Sequence, residues 1–231
     1  MYKIIPVSVI DLKRPKKPRR TNQIKDNESS RAGFSPFSQE IATLCANFFL
    51  CEASLVFDPF GGWGERHQAC LVEHLPYIGY DLSPDAIAYA NKTFGVNNIL
   101  ADSRTEEIPL HDALLTCPPY GNIEKYAGGG LTDIKEYADF LIQYDDILTR
   151  ACDKALPNST YCIIVGDWRS KGVYYNFSTD TEKIMERNGF KIHDKVILNQ
   201  KGTANWRIMM VNAKRFKYTA KVHQYLLVFK R

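Results

Sequence analysis

The sequence has no apolar run approaching the ~20 residues that a membrane-spanning helix needs, so no membrane partner is expected. It has no Cys-x-x-Cys and no His–Cys pair at metal-ligand spacing. Its six cysteines stand at 45, 51, 70, 117, 152 and 162, too scattered for a zinc site or a secreted disulfide framework. A reducing cytoplasm and no metal follow as expectations. The apolar start MYKIIPVSVI leads into a basic run without a small-residue cleavage site, so no signal peptide is expected. The glycine-rich turn at 61–64 is followed by no Gly-Lys-Ser/Thr and is not Gly-x-Gly-x-x-Gly, which excludes a phosphate loop and the dinucleotide fingerprint there. The last 31 residues contain no acid at all.

What is present is ordinary for a globular chain: 231 residues, 45% hydrophobic and 24% charged, enough for one large domain with a full core. The net charge of +4 hides a division. Residues 1–30 carry eight Lys/Arg against three acids, and residues 201–231 carry eight against none. The body between them is acidic. Two basic ends on an acidic body suit a polyanionic partner, or simply a solvated tail and last hairpin. The stretch DLKRPKKPRRTNQIKDNESSRAG (11–33) is basic, polar and Pro-interrupted, so residues 1–33 are expected to form a flexible arm. A compact domain is expected over 34–231, with a basic insertion at 200–221.

Within 34–231, short apolar runs alternate with segments of helical periodicity. Runs at 54–60, 77–82, 97–102, 112–117 and 159–168 read as strands, with helices over 35–50, 65–75, 84–94, 132–156 and 179–190. Ser83 caps the third helix, with Pro84 at its first position. The last two strands, 191–199 and 222–231, have no helix-like segment between them and can pair antiparallel. The expected fold is α/β, a doubly wound and mostly parallel sheet with an antiparallel last strand. Ligands on such sheets bind at the carboxyl ends of the strands, near the point where strand order reverses. There the sequence places Asp58, Asp81, Asp102, Asp167 and the odd run Cys117-Pro118-Pro119-Tyr120.

VFDPFGGWGERHQAC (56–70) joins strand to helix through glycines, which let a ligand approach the backbone. IGYDLSPDAIAYA (78–90) ends a strand on Asp81, the place where an acid bonds ribose hydroxyls. In LLTCPPYGNIEKY (114–126) the two prolines stiffen the turn and bring no N–H of their own, leaving local carbonyls to accept from a ligand. Carbonyl acceptors beside the Tyr120 ring make a site for a planar amine. Asp167-Trp168-Arg169 can line the same pocket. Gly128-Gly129-Gly130 reads as a lid, and the cysteines other than Cys117 read as core packing.

The Asp-Pro-Phe-Gly-Gly-x-Gly turn, Asp81 and Thr-Cys-Pro-Pro-Tyr together resemble the amino-group DNA methyltransferases, which use S-adenosylmethionine on a Rossmann-like seven-strand sheet. VGDWRSKGVYYNFSTDT (165–181) and KVHQYLLVFKR (221–231) are similar to phage-type DNA modification methylases in particular. The resemblance covers roughly residues 34–231. It implies that Phe37 and Ser38 line the methionine end of the cofactor. It implies that Asp58, Phe60, Gly61, Gly62 and Gly64 wrap its backbone, that Asp81, with Leu82 beside it, takes the ribose, and that Asp102 and Ser103 sit at the adenine. Cys117 and the Pro118 carbonyl, stiffened by Pro119, accept from the target amine, and Tyr120 stacks on the flipped base.

One departure concerns the residue before Pro-Pro, which in this family is Asp, Asn or Ser. Cys117 has nearly the shape of Ser, which goes with cytosine-N4 enzymes, so cytosine N4 is placed ahead of adenine N6. A carbon-5 cytosine enzyme carries Pro before Cys, the reverse of the order here. The basic, aromatic segment QKGTANWRIMMVNAKRFKYTA supplies the expected DNA contacts: Lys201, Trp206, Arg207, Lys214, Arg215 and Lys217. Its alternative is a twisted hairpin with lysines stretched along it. An RNA base methyltransferase, and a catalytically silent nucleic-acid-binding module of the same fold, are the alternatives for the whole chain.

Overall fold

The structure, a computed structural model, describes residues 7–12, 37–120, 130–170, 172–200 and 206–231, with the side chains of 206–209 excepted. The parts of the expected arm at 1–6 and 13–33, Gly128, Gly129, Lys201 and the side chains of Trp206 and Arg207 lie outside the described residues.

Ten strands and six α-helices are described. The strands are β1 Val9–Asp11, β2 Val56–Asp58, β3 Tyr77–Asp81, β4 Ile99–Leu100, β5 His111–Thr116, β6 Ala155–Val165, β7 Trp168–Ser170, β8 Val173–Tyr175, β9 Lys191–Asn199 and β10 His223–Lys230. The helices are α1 Gln39–Leu44, α2 Glu65–Val72, α3 Pro84–Phe94, α4 Tyr137–Asp153, α5 Phe177–Arg187 and α6 Trp206–Phe216. A π-helical turn, Cys45–Phe49, extends α1. Eight strands form one sheet in the order β1-β9-β10-β6-β5-β2-β3-β4, and β7 pairs with β8 alone. β10 runs antiparallel to both its neighbours, β6 and β9, and the other pairs are parallel. The fold is therefore the expected mostly parallel α/β sheet with an antiparallel last strand.

One strand exceeds the expected seven. Val9 pairs with Ile197 and Asp11 with Asn199, so this short piece of the basic N-terminal region belongs to the sheet. Ile10 and Leu12 pack against the core there. The segment after β9 also differs from a bare insertion or twisted hairpin, since it contains the helix α6.

Strand alternation divides the core in two. Tyr161, Ile163 and Val165 of β6 face α4 and α5, where Phe140, Tyr144, Phe177 and Met185 are buried. Cys162 and Ile164 face the opposite side, against Ile41 and Cys45 of the first helical segment and Cys70 of α2. Burial on both faces explains why β5 and β6 read as continuous apolar runs. Cys45, Cys70, Cys152 and Cys162 are core residues as expected, but Cys51 is exposed in the turn after the π-helix. Ser83 caps α3 by accepting the Ala86 N–H at 3.2 Å, with Pro84 beginning the helix. Among the described residues no helix is long and apolar enough to cross a membrane.

The chain leaves β2 for β3 and β4 on one side, then returns to β5 on the other. The reversal between β2 and β5 brings the ends of these strands, Asp58 and Thr116-Cys117, side by side.

Candidate active site

Asp58 is fully buried and saturated by four donors. Its Oδ1 accepts the Phe60 N–H at 3.0 Å and the Thr116 hydroxyl at 2.6 Å. Its Oδ2 accepts Arg66 Nε at 2.6 Å and the Tyr77 hydroxyl at 2.7 Å. One carboxylate thus joins β2, β3, β5 and α2 and holds the glycine turn in place. Burial disfavours the Arg66 charge, but the Asp58 carboxylate bonded to it, together with Tyr77 and Cys117, more than offsets this and raises the guanidinium's pKa. Arg66 also donates to the Phe60 carbonyl and lies 5.0 Å from the centre of the Phe37 ring. Glu65 is buried in the first turn of α2, where burial raises its carboxyl pKa against the lowering effect of nearby backbone amides, that of Phe37 among them. Ser38 begins α1 without a side-chain cap bond.

The glycines divide by task. Gly62 has a φ of +59° and donates its N–H to Asp81 Oδ2 at 2.7 Å. Gly64, at a φ of +96°, sits so close to α3 that a Cβ there would lie 2.6 Å from the Ala90 Cβ. Its missing side chain therefore serves helix packing. Gly61 donates its N–H to the Tyr80 carbonyl, which sews the turn to β3.

Asp81 ends β3 and accepts Gly62 N–H on one oxygen and Ser83 N–H on the other, at 2.7 and 2.8 Å. A carboxylate has about four acceptor sites, so two remain for a ligand. Burial raises its pKa despite these bonds. Leu82 meets the chain returning at Gly130, where a Cβ would lie 2.7 Å from Leu82 Cδ1. Asp102 and Ser103 are placed near the turn but are occupied. Arg104 forks onto both Asp102 oxygens and holds that carboxyl below its ordinary range. Ser103 is buried and donates to the Pro59 carbonyl at 2.7 Å.

Across the reversal point stands the Pro-Pro run, with Pro118 buried. The Tyr120 hydroxyl lies 3.8 Å from Cys117 Sγ and accepts from Gln224 Nε2 at 2.5 Å. Gln224 in turn accepts from Gln200 Nε2 at 2.6 Å. The Tyr120 ring is flanked by Trp168 at 6.1 Å and by Phe177, edge-on, at 6.3 Å. Asp167 points elsewhere: it caps α5 through the Ser178 N–H and accepts from the Tyr174 hydroxyl. Trp168 alone of the 167–169 triplet faces Tyr120. Lys214, Arg215 and Lys217 are exposed around the carboxyl end of α6. Among the described residues no group of three His, Cys, Asp or Glu could hold a metal ion.

Arg66, Thr116, Tyr77, Gln224 and Gln200 were not singled out from the sequence. Arg66 carried a readable signal, since a cation in a helix's first turn opposes the dipole and calls for a carboxylate partner. Gln224 shows only as a polar residue near the start of an otherwise apolar strand.

No family model and no curated protein matches the sequence. Solved structures do match in fold. NodS, an N-methyltransferase from Bradyrhizobium japonicum WM9, is 13% identical with a TM-score of 0.57, over 85% of this chain and 97% of its own. The magnesium protoporphyrin IX methyltransferase ChlM from Synechocystis PCC 6803, solved with bound SAM, is 11% identical with a TM-score of 0.52, over 84% and 79%. TrmN from Thermus thermophilus is 16% identical with a TM-score of 0.55, over 88% of this chain. The chain spans about half, 51%, of the TrmN chain. The fold is that of the Rossmann-like methyltransferases.

Proposed function

We propose that the chain is an S-adenosylmethionine-dependent methyltransferase acting on an exocyclic amino group of a nucleic-acid base. The substrate we favour is DNA, with cytosine N4 ahead of adenine N6, as in phage-type modification methylases. One observation carries this reading: the 2.6 Å bond from Thr116 to Asp58. It ties the strand that delivers Cys117-Pro118-Pro119-Tyr120 to the carboxylate that anchors the glycine turn.

The residues present fit the cofactor. Asp81 ends its strand with two acceptor sites to spare, Gly62 leaves the turn without a side chain, and Phe37 is held beside it. Gly61, Gly62, Phe60, Asp81 and Leu82 are the residues that would hold it, with Phe37 and Ser38 toward the methionine end and the 102–103 loop toward the adenine. When bound, it supplies a methyl group on a sulfonium.

The chain's own part is orientation. An exocyclic amine is a poor nucleophile because its lone pair is conjugated into the ring. The Pro118 carbonyl and Cys117 sulfur accept its two N–H groups and turn that lone pair toward the methyl. This is catalysis by positioning and electrostatics rather than by a covalent bond. Tyr120 offers the aromatic face that a base taken out of its stack requires, and Gln224 holds the ring from its hydroxyl end.

The test is transfer of labelled methyl from S-adenosylmethionine to unmethylated DNA and, in parallel, to RNA, followed by nucleoside mass spectrometry. N4-methylcytosine in DNA is the expected product. Methyl on RNA alone would replace DNA by RNA, and cofactor binding with no transfer to either would leave the silent module. Tyr120→Ala is expected to reduce transfer by about 5- to 150-fold, the equivalent of one base–aromatic stack. Unchanged activity in that variant would remove Tyr120 from the base pocket. Cys117→Ser should retain activity, because the hydroxyl is the better acceptor, whereas Cys117→Ala should lose about tenfold through one missing hydrogen bond. A dead Cys117→Ser would show that the sulfur itself reacts.

A further inference from the structure

The β7–β8 hairpin has two faces. Pairing sets Trp168 opposite Tyr175 and Arg169 opposite Tyr174. Trp168 and Tyr175 stack at 5.4 Å and form the wall beside Tyr120. Arg169 and Tyr174 occupy the other face. There the Arg169 guanidinium lies 4.9 Å from the Tyr174 ring centre and 4.7 Å from that of Tyr218, which follows α6. Lys221 stands 4.9 Å over Tyr174. Arg215 lies 5.1 Å from the Phe216 ring, which is parallel to Tyr218. Three parts of the chain, Arg169 with Tyr174, residues 215–218 and Lys221, thus set cations on aromatic rings along one surface. Among the described residues the carboxylate bonded to this row is Asp167, which is buried; it already accepts a backbone amide and a tyrosine hydroxyl and reaches Lys221 at 3.3 Å. Arg169 is exposed and stacked.

We propose that Arg169, set between Tyr174 and Tyr218 and flanked by Lys221, is a phosphate clamp that grips the nucleic-acid backbone beside the target base. The clamp rests on the nucleic-acid reading given above. A guanidinium held by its faces keeps its N–H edge for phosphate oxygens. The rings order it beforehand, so less side-chain entropy is lost when the strand arrives. The position suits the task, because the opposite face of the same two-stranded hairpin borders Tyr120. A strand gripped at Arg169 is therefore held next to the pocket its base must enter.

Binding can be read by fluorescence anisotropy of labelled single-stranded DNA and RNA 20-mers, with S-adenosylhomocysteine present, across a salt series. Arg169→Gln is expected to weaken binding about 5- to 10-fold at low salt and to make the salt slope shallower by about one phosphate contact. Tyr218→Leu keeps the charge but releases it, so affinity should fall while the salt slope stays. A residue that only braces the hairpin would lower the melting temperature without changing the slope. Both variants should melt, and bind S-adenosylhomocysteine, as the parent does. The arm with the larger loss identifies DNA or RNA as the source of the phosphate. If Arg169→Gln binds with the parent's affinity and slope, the clamp is wrong and the nucleic-acid reading stands. If the parent binds neither strand at low salt, the nucleic-acid reading fails and the clamp with it.

Discussion

Asp58→Asn is expected to lower the melting temperature by about 6–20 °C, the largest stability effect of any single polar substitution proposed for this chain. Breaking a buried ion pair from one side costs about 3–5 kcal/mol, and a chain of this size loses about 2–4 °C per kcal/mol. The magnitude follows from the saturation of the carboxylate. Asn keeps the volume and one acceptor, but its amide group must face either Arg66 Nε and the Tyr77 hydroxyl or the Phe60 amide and the Thr116 hydroxyl. Either orientation sets donor against donor and leaves the Arg66 guanidinium, 6% exposed, without its counter-charge. Adding Arg66→Leu should recover part of the loss, because removing a buried pair together is far less costly than removing half of it. Calorimetry of the two single variants and the double variant measures the coupling. A single variant that melts within 2 °C of the parent would mean that Asp58 is not the joint between β2, β3, β5 and α2.

The same residue shows where a sequence can and cannot be read. That Asp58 ends a strand beside a glycine turn is a local fact, visible in VFDPFGG. That its carboxylate is spent on Thr116, 58 positions away, is a fact of the fold. Most strands and helices were legible for local reasons: apolar runs bounded by turn residues, and Ser83-Pro84 opening α3. β1 was not, because a three-residue edge strand is selected by its partner β9 and by nothing in its own composition. The β7–β8 hairpin was missed because each strand is three residues long, although Gly172, at a φ of +83°, marks its turn. α6 is obscured in the sequence because its basic and aromatic residues dominate a segment whose helical spacing is short. Around the candidate site, the strand-end position of Asp81 and the turn position of Gly62 are local facts of the sequence. That Arg104, two residues on, forks onto the Asp102 carboxylate is a side-chain fact that the sequence does not show.

Asp81→Asn is expected to weaken S-adenosylhomocysteine binding by about 10- to 100-fold, measured by isothermal titration calorimetry at pH 8. A hydrogen bond to a charged acceptor contributes about 1.5–3 kcal/mol, and each 1.4 kcal/mol is a factor of ten in Kd. The amide supplies one acceptor oxygen instead of two. Its NH₂ must also face the Gly62 or the Ser83 N–H, so the glycine turn loses an anchor as well. An analogue lacking the ribose 2′-hydroxyl separates these causes: it should bind the parent weakly and lose little further on Asp81→Asn. If the analogue and the full ligand lose equally, Asp81 acts only on the turn and the ribose assignment fails. The pH dependence has a definite sign. Burial raises the Asp81 carboxyl pKa, and the ligand-binding form is the carboxylate. Affinity should therefore be level above the folded-state pKa and fall as pH drops through it, beginning at a higher pH than an ordinary carboxylate shows. In Asp81→Asn that fall should be absent. Persistence of the parent's profile in the variant would assign the titration to another group, such as Glu65 at the start of α2, also buried and also raised.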